Sequence, residues 1–225
     1  MTFTPIPAGS QNWDIPVNLA FSAQDSAITA NSNGIVSNSA RLVTLETARN
    51  QKATDQGLQA WTFDPVTFGG GNTSTAGTIY MGKVYIGAPT SITNICMYLS
   101  TPTAGTAGQN FAGLYDGSGT QLGVTADQTA NWTSGIGFRT MPLAGGPVSL
   151  NAGFYYVAHV SNSAGTMGFG RASNLATFSG NASAFNLTAA TYRYATAGTL
   201  QTSLPASITM TGRATTDIQW WYGLS

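Results

Sequence analysis

The sequence predicts a mainly β protein: a C-terminal β-sandwich head of the jelly-roll type, preceded by an extended N-terminal arm and a short coiled-coil helix. From Trp61 to Ser225 the chain carries only nine charged side chains, whereas an ordinary soluble domain is about a quarter charged. The polarity of this part comes from Ser, Thr, Asn, Gln and Gly, which favour strands and turns over helices. A helical pattern is confined to the residues before position 60.

Residues 1–23 are predicted to form an extended arm, because three prolines remove backbone donors and disfavour helix just before them. The arm is also rich in apolar residues, namely Phe3, Ile6, Trp13, Ile15, Val17, Leu19 and Phe21. A segment this short cannot bury these side chains on itself. We therefore expect it to dock onto a neighbouring subunit or a larger particle.

Residues 24–60 are predicted to contain a helix that Gly57 ends. Its apolar stripe follows the a and d positions of a heptad repeat: Ile28, Asn31, Ile35, Asn38, Leu42 and Leu45. Asn at such positions costs stability but fixes register and oligomer number. The pattern favours a self-associating coiled coil, and the alternative is a single helix lying on the β domain.

Residues 61–225 are predicted to form the head, with strands separated by turns. The predicted strands are Trp61–Phe68, Thr78–Ile86, Ile92–Leu99, Phe111–Tyr115, Gln121–Thr125, Phe138–Met141, Val148–Leu150, Phe154–Val160, Thr166–Arg171, Ala190–Ala195, Ser207–Gly212 and Ile218–Tyr222. The clearest hairpin signal is Asp-Gly followed by a second Gly, at residues 116–119. The glycine-rich residues 69–74 are predicted to be a loop. Strands at this spacing, without helices between them, indicate a sandwich or jelly roll.

The head has few of the ionisable groups that an enzyme needs, so we predict no catalytic residue, no metal site and no cofactor. His159 is the only histidine, and its strand context favours a structural role. Cys96 is the only cysteine, which excludes a disulfide within one chain and favours a small buried side chain. Carboxylate pairs among the four aspartates of the head have no recognisable motif, so a glycosidase is a disfavoured alternative.

Aromatic residues beside amides indicate glycan binding, because the apolar face of a sugar stacks on an aromatic ring while amides bond its hydroxyls. Trp132 lies in a polar segment, and two roles fit it: a structural plug over one end of the sandwich, which we favour, and an exposed platform that stacks against a ligand. The candidate glycan-binding residues are Trp132, Tyr115, Asp116 and Asn131. Trp220 and Trp221 are adjacent in a predicted strand, so one should lie in the core and the other at the surface or an oligomer interface.

The chain has a formal net charge of +0 and no basic patch of the kind that nucleic acid requires. We find no apolar run long enough to span a membrane and no secretory signal, so we expect synthesis in the cytoplasm of the producing cell. Sparse charge gives little repulsion between copies, which favours association in an assembly.

Three segments resemble minor tail and fibre proteins of tailed phages that infect actinobacteria. They are QNWDIPVN at residues 11–18, GQNFAGLYD with GVTAD at 108–116 and 123–127, and QTSLPASI at 201–208. In that family a short Trp-Asp-x-Pro-x-Asn arm precedes a helical trimer stem and a distal β domain, and the resemblance follows this order over nearly the whole chain.

The resemblance implies a homotrimeric virion protein on the tail or capsid surface. Its arm would contact other virion proteins through Phe3, Trp13, Asp14, Ile15, Pro16 and Asn18. The heptad residues would form the trimer stem, and the head would face outward and adhere to host cell-surface glycan. The alternative is a capsid decoration or capsid-fibre protein with a structural role and no specific receptor.

Overall fold

The computed structural model describes residues 14–49, 52–172 and 184–225. The chain divides into two compact units, Met1–Gln51 and Lys52–Ser225. The described part of the first unit is one long helix, and the second unit consists mainly of antiparallel sheets. The mainly β prediction is therefore confirmed at this level.

Helix α1 extends from Asp14 to Arg49, a length of 36 residues. This corrects the predicted arm, because residues 14–23 are helical and not extended. Pro16 is tolerated since it lies in the first turn, where backbone N–H groups have no partner within the helix. Of the predicted anchoring residues, Phe3 and Trp13 lie outside the described residues, as do the side chains of Asp14, Ile15, Pro16 and Asn18.

The predicted stem also continues too far toward the C-terminus. A separate 3-10 helix, Ala53–Gln56, belongs to the second unit and ends at Gly57, whose φ of 71° is left-handed. Gly57 therefore ends a helix, as predicted, but the helix that it ends is this short 3-10 element and not α1. The difference arises because a helical turn and a helix have the same local signals at their C-terminal ends.

The second unit contains fourteen strands within the described residues. They are β1 (Ala60–Trp61), β2 (Phe68–Thr73), β3 (Tyr80–Ile86), β4 (Thr90–Ile92), β5 (Asn94–Thr101), β6 (Phe111–Tyr115), β7 (Gln121–Val124), β8 (Gly137–Pro142), β9 (Val148–Leu150), β10 (Gly153–Val160), β11 (Gly168–Ala172), β12 (Tyr194–Thr196), β13 (Ala214–Thr215) and β14 (Gly223–Leu224). One short α-helix, α2 (Thr129–Thr133), lies between β7 and β8.

The strands form two six-stranded sheets. The front sheet has the order β1-β14-β5-β11-β2, with β8 also paired to β5, and the back sheet has the order β13-β12-β3-β10-β6-β7. The remaining strands, β4 and β9, pair with each other. The Asp-Gly turn at residues 116–119 joins the antiparallel strands β6 and β7, as predicted.

Several strand predictions are wrong. The glycine-rich residues 69–74, predicted to be a loop, largely belong to β2, because pairing with β11 supplies the order that glycine lacks on its own. The predicted strands 207–212 and 218–222 are instead a 3-10 turn at Met210–Gly212 and an irregular segment that leads to β14. These sequences are apolar because they cover the sheets, so period-two patterning alone misassigns them.

The two sheets share one hydrophobic core, because the inward-facing residues of each sheet pack against those of the other. The front sheet and its C-terminal segment contribute Ile95, Met97, Leu99, Phe169, Trp220 and Tyr222, and the back sheet contributes Tyr80, Val84, Ala112, Leu114 and Val157. The segment around Leu204, Ile208 and Met210 covers the outer face of the back sheet in a second cluster. Part of the outer face of each sheet stays uncovered, and those parts are where binding sites can form.

The prediction for the adjacent tryptophans is corrected, since Trp220 and Trp221 are both buried. Trp220 lies in the core between the sheets, whereas Trp221 packs outside the front sheet against Leu58 and Cys96. The Trp221 indole donates a hydrogen bond to the carbonyl of Phe63 at 3.0 Å. The chain before β2 thus covers the ring that alternation places on the outer face. Cys96 is buried in the same cluster, as predicted.

Candidate functional site

Trp132, a candidate stacking platform, is fully buried. It lies on α2, its indole nitrogen donates to the sulfur of Met141 at 3.2 Å, and its ring meets Phe169 edge-on with centroids 4.9 Å apart. The structure therefore agrees with the favoured role of a plug on the core and not with an exposed stacking platform. Its polar sequence neighbours are on the outer side of the short helix, which is why the sequence suggested exposure.

Tyr115 is also buried and cannot present its ring to a sugar. Its hydroxyl donates to the carbonyl of Pro205 at 2.7 Å and accepts from Gln121 at 3.0 Å. Burial raises the pKa of Tyr115 to about 12, and the Gln121 hydrogen bond opposes this rise. Tyr115 therefore holds the covering segment against the back sheet.

Asp116 and Asn131 are at least partly exposed, but their polar groups are engaged locally. One carboxylate oxygen of Asp116 accepts from the backbone N–H groups of Ser118 and Thr120, both at 2.9 Å, and from the Ser118 hydroxyl at 2.7 Å. Slight burial acts to raise the pKa of Asp116, but these hydrogen bonds outweigh it and the pKa is lowered. Asn131 donates to the side-chain oxygen of Gln128 at 2.9 Å. The four predicted residues do not form one exposed site.

Asp127 has a comparable structural role. Its Oδ1 atom accepts from the backbone of Asn110 at 3.1 Å and from the hydroxyl of Thr129 at 2.9 Å. Burial acts to raise its pKa, but hydrogen bonds lower it overall. The aspartate thus fixes the start of α2 as an ionised acceptor. Among the described residues, no group of three His, Cys, Asp or Glu side chains is placed to hold a metal ion.

A groove that the sequence did not indicate lies on the outer face of the front sheet. Its volume is about 560 Å³, and it is lined by Phe68, Gly70, Gly71, Tyr98, Ser100 and Ile136. This volume is within the range of about 300–1,000 Å³ typical of small-molecule sites. None of the lining side chains is charged, so the groove suits a neutral ligand.

Glycines make room for this groove. Gly170 of β11 lies beneath the Phe68 ring, and a Cβ there would overlap that ring. The rings of Phe68 and Tyr98 contact each other, with centroids 5.6 Å apart. A Cβ on Gly71 would likewise overlap the side chain of Ser100. The residues come from β2, β5 and β11, which are far apart in sequence. The available signal was the pair of segments with two or three glycines next to phenylalanine, at residues 68–71 and 168–170.

The groove also offers hydrogen-bonding groups. The hydroxyl of Ser100 is buried and has no hydrogen-bond partner within residues 14–49, 52–172 and 184–225. Such a group is costly unless a ligand or water supplies a partner. Strand β2 is at the end of the front sheet as described, so one of its edges has backbone groups without a strand partner. Aromatic walls next to such groups are the combination that binds sugar rings and their hydroxyls.

The second candidate surface is the face of α1 that carries the heptad stripe. Every described side chain from residue 19 to residue 41 is exposed, including Ile28 at 57% and Ile35 at 67%. Because α1 begins earlier than predicted, the a positions continue back to Phe21, one heptad before Ile28. The side chains of Leu42 and Leu45 lie outside the described set.

Comparison with known proteins finds no matching protein family and no similar curated protein. Among the helices that the structure describes, none is both long and apolar enough to cross a membrane. The function is therefore inferred from the two candidate surfaces and from the sequence.

Proposed function

We propose that this chain is a homotrimeric virion fibre or spike of a phage, whose head is a β-sandwich of the jelly-roll type that adheres to host cell-surface glycan. The helix forms the trimer stem, and the residues before it attach the trimer to other virion proteins. The single observation that carries the proposal is the exposed heptad stripe on a 36-residue helix.

The composition of α1 supports association. It contains many Ser, Asn and Thr residues and Gly34 in its middle, and these are weak helix formers. In proteins, most of a helix's stability comes from packing of its apolar face and not from the propensity of its residues. Two hydroxyls also bond back to carbonyls one turn earlier, Ser26 to Ser22 and Thr29 to Asp25, each at 2.9 Å. Partner helices are the covering that a heptad pattern specifies.

Two features of the head support the proposal that it adheres to neutral glycan. Its surface carries few charges, and the uncharged groove between Phe68, Tyr98 and Ile136 combines apolar walls with the unpartnered hydroxyl of Ser100. The virion context rests on the resemblance of residues 11–18, 108–127 and 201–208 to phage fibre proteins.

The solution mass of the purified full chain, measured by light scattering at several concentrations, tests the stem. We expect three chains at all concentrations above the micromolar range. A monomer at every concentration would refute the fibre proposal.

A capsid decoration protein is the second candidate, favoured by the same sparse charge, which suits close packing in an assembly. It predicts many copies in each particle and no binding to neutral oligosaccharides. Counting copies per virion and screening the wild-type chain on a neutral glycan array separates the two roles.

A further inference from the structure

Two basic residues, Lys83 in β3 and Arg193 immediately before β12, are neighbours at the back sheet. The backbone N–H of Lys83 in β3 donates to the carbonyl of Arg193 at 2.8 Å, next to the paired residues Tyr194 and Gly82. Residues opposite each other in an antiparallel pair have side chains on the same face, about 5 Å apart at Cβ. Like charges in that position are destabilising, so this pair needs a reason to be there.

A third cation joins them. The guanidinium carbon of Arg213 is 4.4 Å from the ring centroid of Tyr156, and the ammonium of Lys83 is 5.9 Å from the same centroid. Burial, followed by the charges of Arg213 and Arg193, lowers the pKa of Lys83. No carboxylate is among the groups that shift this pKa. Three of the five basic residues of the head therefore act on one another, and within the described part of the chain no carboxylate offsets their charges in this pKa.

One hydrogen-bond donor of Arg213 is not used by the described residues. It is 4% exposed, and its Nε and Nη2 atoms donate to the carbonyl of Ala189 at 3.0 and 2.8 Å. Its Nη1 atom is buried and has no hydrogen-bond partner among the residues that the structure describes. An unpartnered buried guanidinium donor is costly, and a bound anion is one group that would satisfy it.

Two exposed aromatic rings border the cations. Tyr85 and Phe154 are opposite each other in the β3–β10 register, their ring centroids are 5.0 Å apart, and each is 56% exposed. The Lys83 ammonium is 4.4 Å from the Phe154 ring centroid. This surface is therefore an apolar platform with positive charge at its side.

We propose that this basic-aromatic face, formed by Lys83, Tyr85, Phe154, Arg193 and Arg213, binds an anionic glycan. A sugar ring stacks on Tyr85 and Phe154, and its carboxylate or phosphate group accepts hydrogen bonds from Lys83 and Arg193. Nucleic acid is disfavoured, because three cations on a chain of zero net charge do not form the extended basic surface that a phosphate backbone requires. The face is on the opposite sheet from the neutral groove, so this site goes beyond the proposed function.

The test uses the full chain and a hexamer of galacturonic acid, with its fully methyl-esterified form as the neutral counterpart. Binding is measured by titration calorimetry. We expect the acid to bind about tenfold or more tightly than the ester. Raised salt should weaken binding of the acid but not of the ester. Equal binding of acid and ester, or no binding of the acid, would overturn the proposal.

Variants identify the face. Lys83→Gln with Arg193→Gln should weaken binding of the acid by about tenfold or more, whereas Lys52→Gln, which removes an exposed charge elsewhere in the same unit, should not. Phe154→Ala should weaken binding of the hexamer. It should leave binding of inorganic phosphate unchanged, because phosphate has no ring that stacks on Phe154. Lys83→Gln should also keep or raise the thermal midpoint, because it removes repulsion. Wild-type affinity in the double variant would refute the assignment of the site.

Discussion

The Nδ1 atom of His159 lies 2.7 Å from the hydroxyl oxygen of Tyr222, in the core between the two sheets. The Tyr222 hydroxyl donates to the carbonyl of Tyr80 at 3.5 Å, so we assign the Nδ1–H of His159 as the donor to Tyr222. The Nε2 atom then keeps its lone pair and has no hydrogen-bond partner in the described part of the chain. Trp132, Phe169 and Trp220 surround the imidazole. The only histidine of the chain is therefore structural, as the sequence predicts.

This arrangement makes folding sensitive to acid. Burial lowers the pKa of His159 from 6.5 to about 3, since protonation would put an unpartnered N–H and a charge into the core. The unfolded chain then binds a proton at higher pH than the folded chain. Stability is therefore complete above pH 6.5 and falls toward pH 3, with a slope of up to about 1.4 kcal/mol per pH unit.

Urea unfolding of the wild type at pH 7.5, 6, 5 and 4 measures that slope, and His159→Gln is the comparison. We expect the variant to be less stable at pH 7.5 but to lose little further stability between pH 6 and pH 5. Asp116 and Asp127, whose pKa values are lowered, contribute only at lower pH. An equal slope in both proteins between pH 6 and pH 5 would show that His159 does not control acid stability.

Gly82 provides the space in which the Tyr222 ring packs. A Cβ on Gly82 would be 2.7 Å from two carbons of that ring and 3.0 Å from the methyl group of Thr62. Gly82→Ala should therefore destabilise the head by about 1–3 kcal/mol, the usual cost of overpacking a core. Gly145→Ala is the control, since nothing lies within 4 Å of its Cβ and its φ is ordinary. Comparable unfolding midpoints for the two variants would contradict the packing described.

Local patterns predicted some of the structure well. The Asp-Gly turn, the buried Cys96 and the structural His159 each depend on a short stretch of sequence whose chemistry allows few alternatives. The high content of Ser, Thr, Asn, Gln and Gly likewise predicted a mainly β head. A long helix was also expected, but its start was misplaced because proline in a first turn and proline in an extended arm have the same sequence signal.

The candidate site could not be predicted because it is made of residues distant in the chain. Trp132 is in a polar segment, and it is buried because the fold brings residues such as Phe169 and Met141 against its ring. The groove needs Gly170 beneath Phe68 and Tyr98, a relationship that depends on the pairing of β11. Trp221 is buried because the segment before β2 returns across the front sheet. In each case tertiary contacts decide exposure, and local periodicity does not record them.

The stem proposal predicts that heptad register, and not exposure, decides which substitutions in α1 break the oligomer. Ile35 and Val36 are adjacent and similarly exposed in the single chain, at 67% and 69%, but only Ile35 is at an a position. Ile35→Ser should dissociate the trimer, because it puts a hydroxyl in the seam of all three helices. Val36→Ser should leave the mass at three chains.

Sedimentation equilibrium of both variants against the wild type checks this prediction. Dissociation of both variants, or of neither, would mean that the apolar stripe associates without a heptad seam.

Deletion of residues 1–13 tests the proposed attachment to the virion. It leaves α1 complete, since this helix begins at Asp14. The shortened chain should remain trimeric but fail to join particles.

The groove proposal predicts that the two faces of the head have separate ligands. Tyr98→Ser removes one aromatic wall of the groove, so it should weaken binding to the best ligand on a neutral oligosaccharide array by about tenfold, the effect of one lost stacking ring. It should leave galacturonate binding unchanged. Tyr85→Ser, on the basic-aromatic face, should weaken galacturonate binding and leave binding of the neutral oligosaccharide unchanged.

Both variants should unfold at midpoints close to that of the wild type, because neither residue is part of the core between the sheets. If Tyr98→Ser keeps its neutral ligand, the groove is not the adhesive surface; if both variants lose both ligands, the head has one binding site and not two.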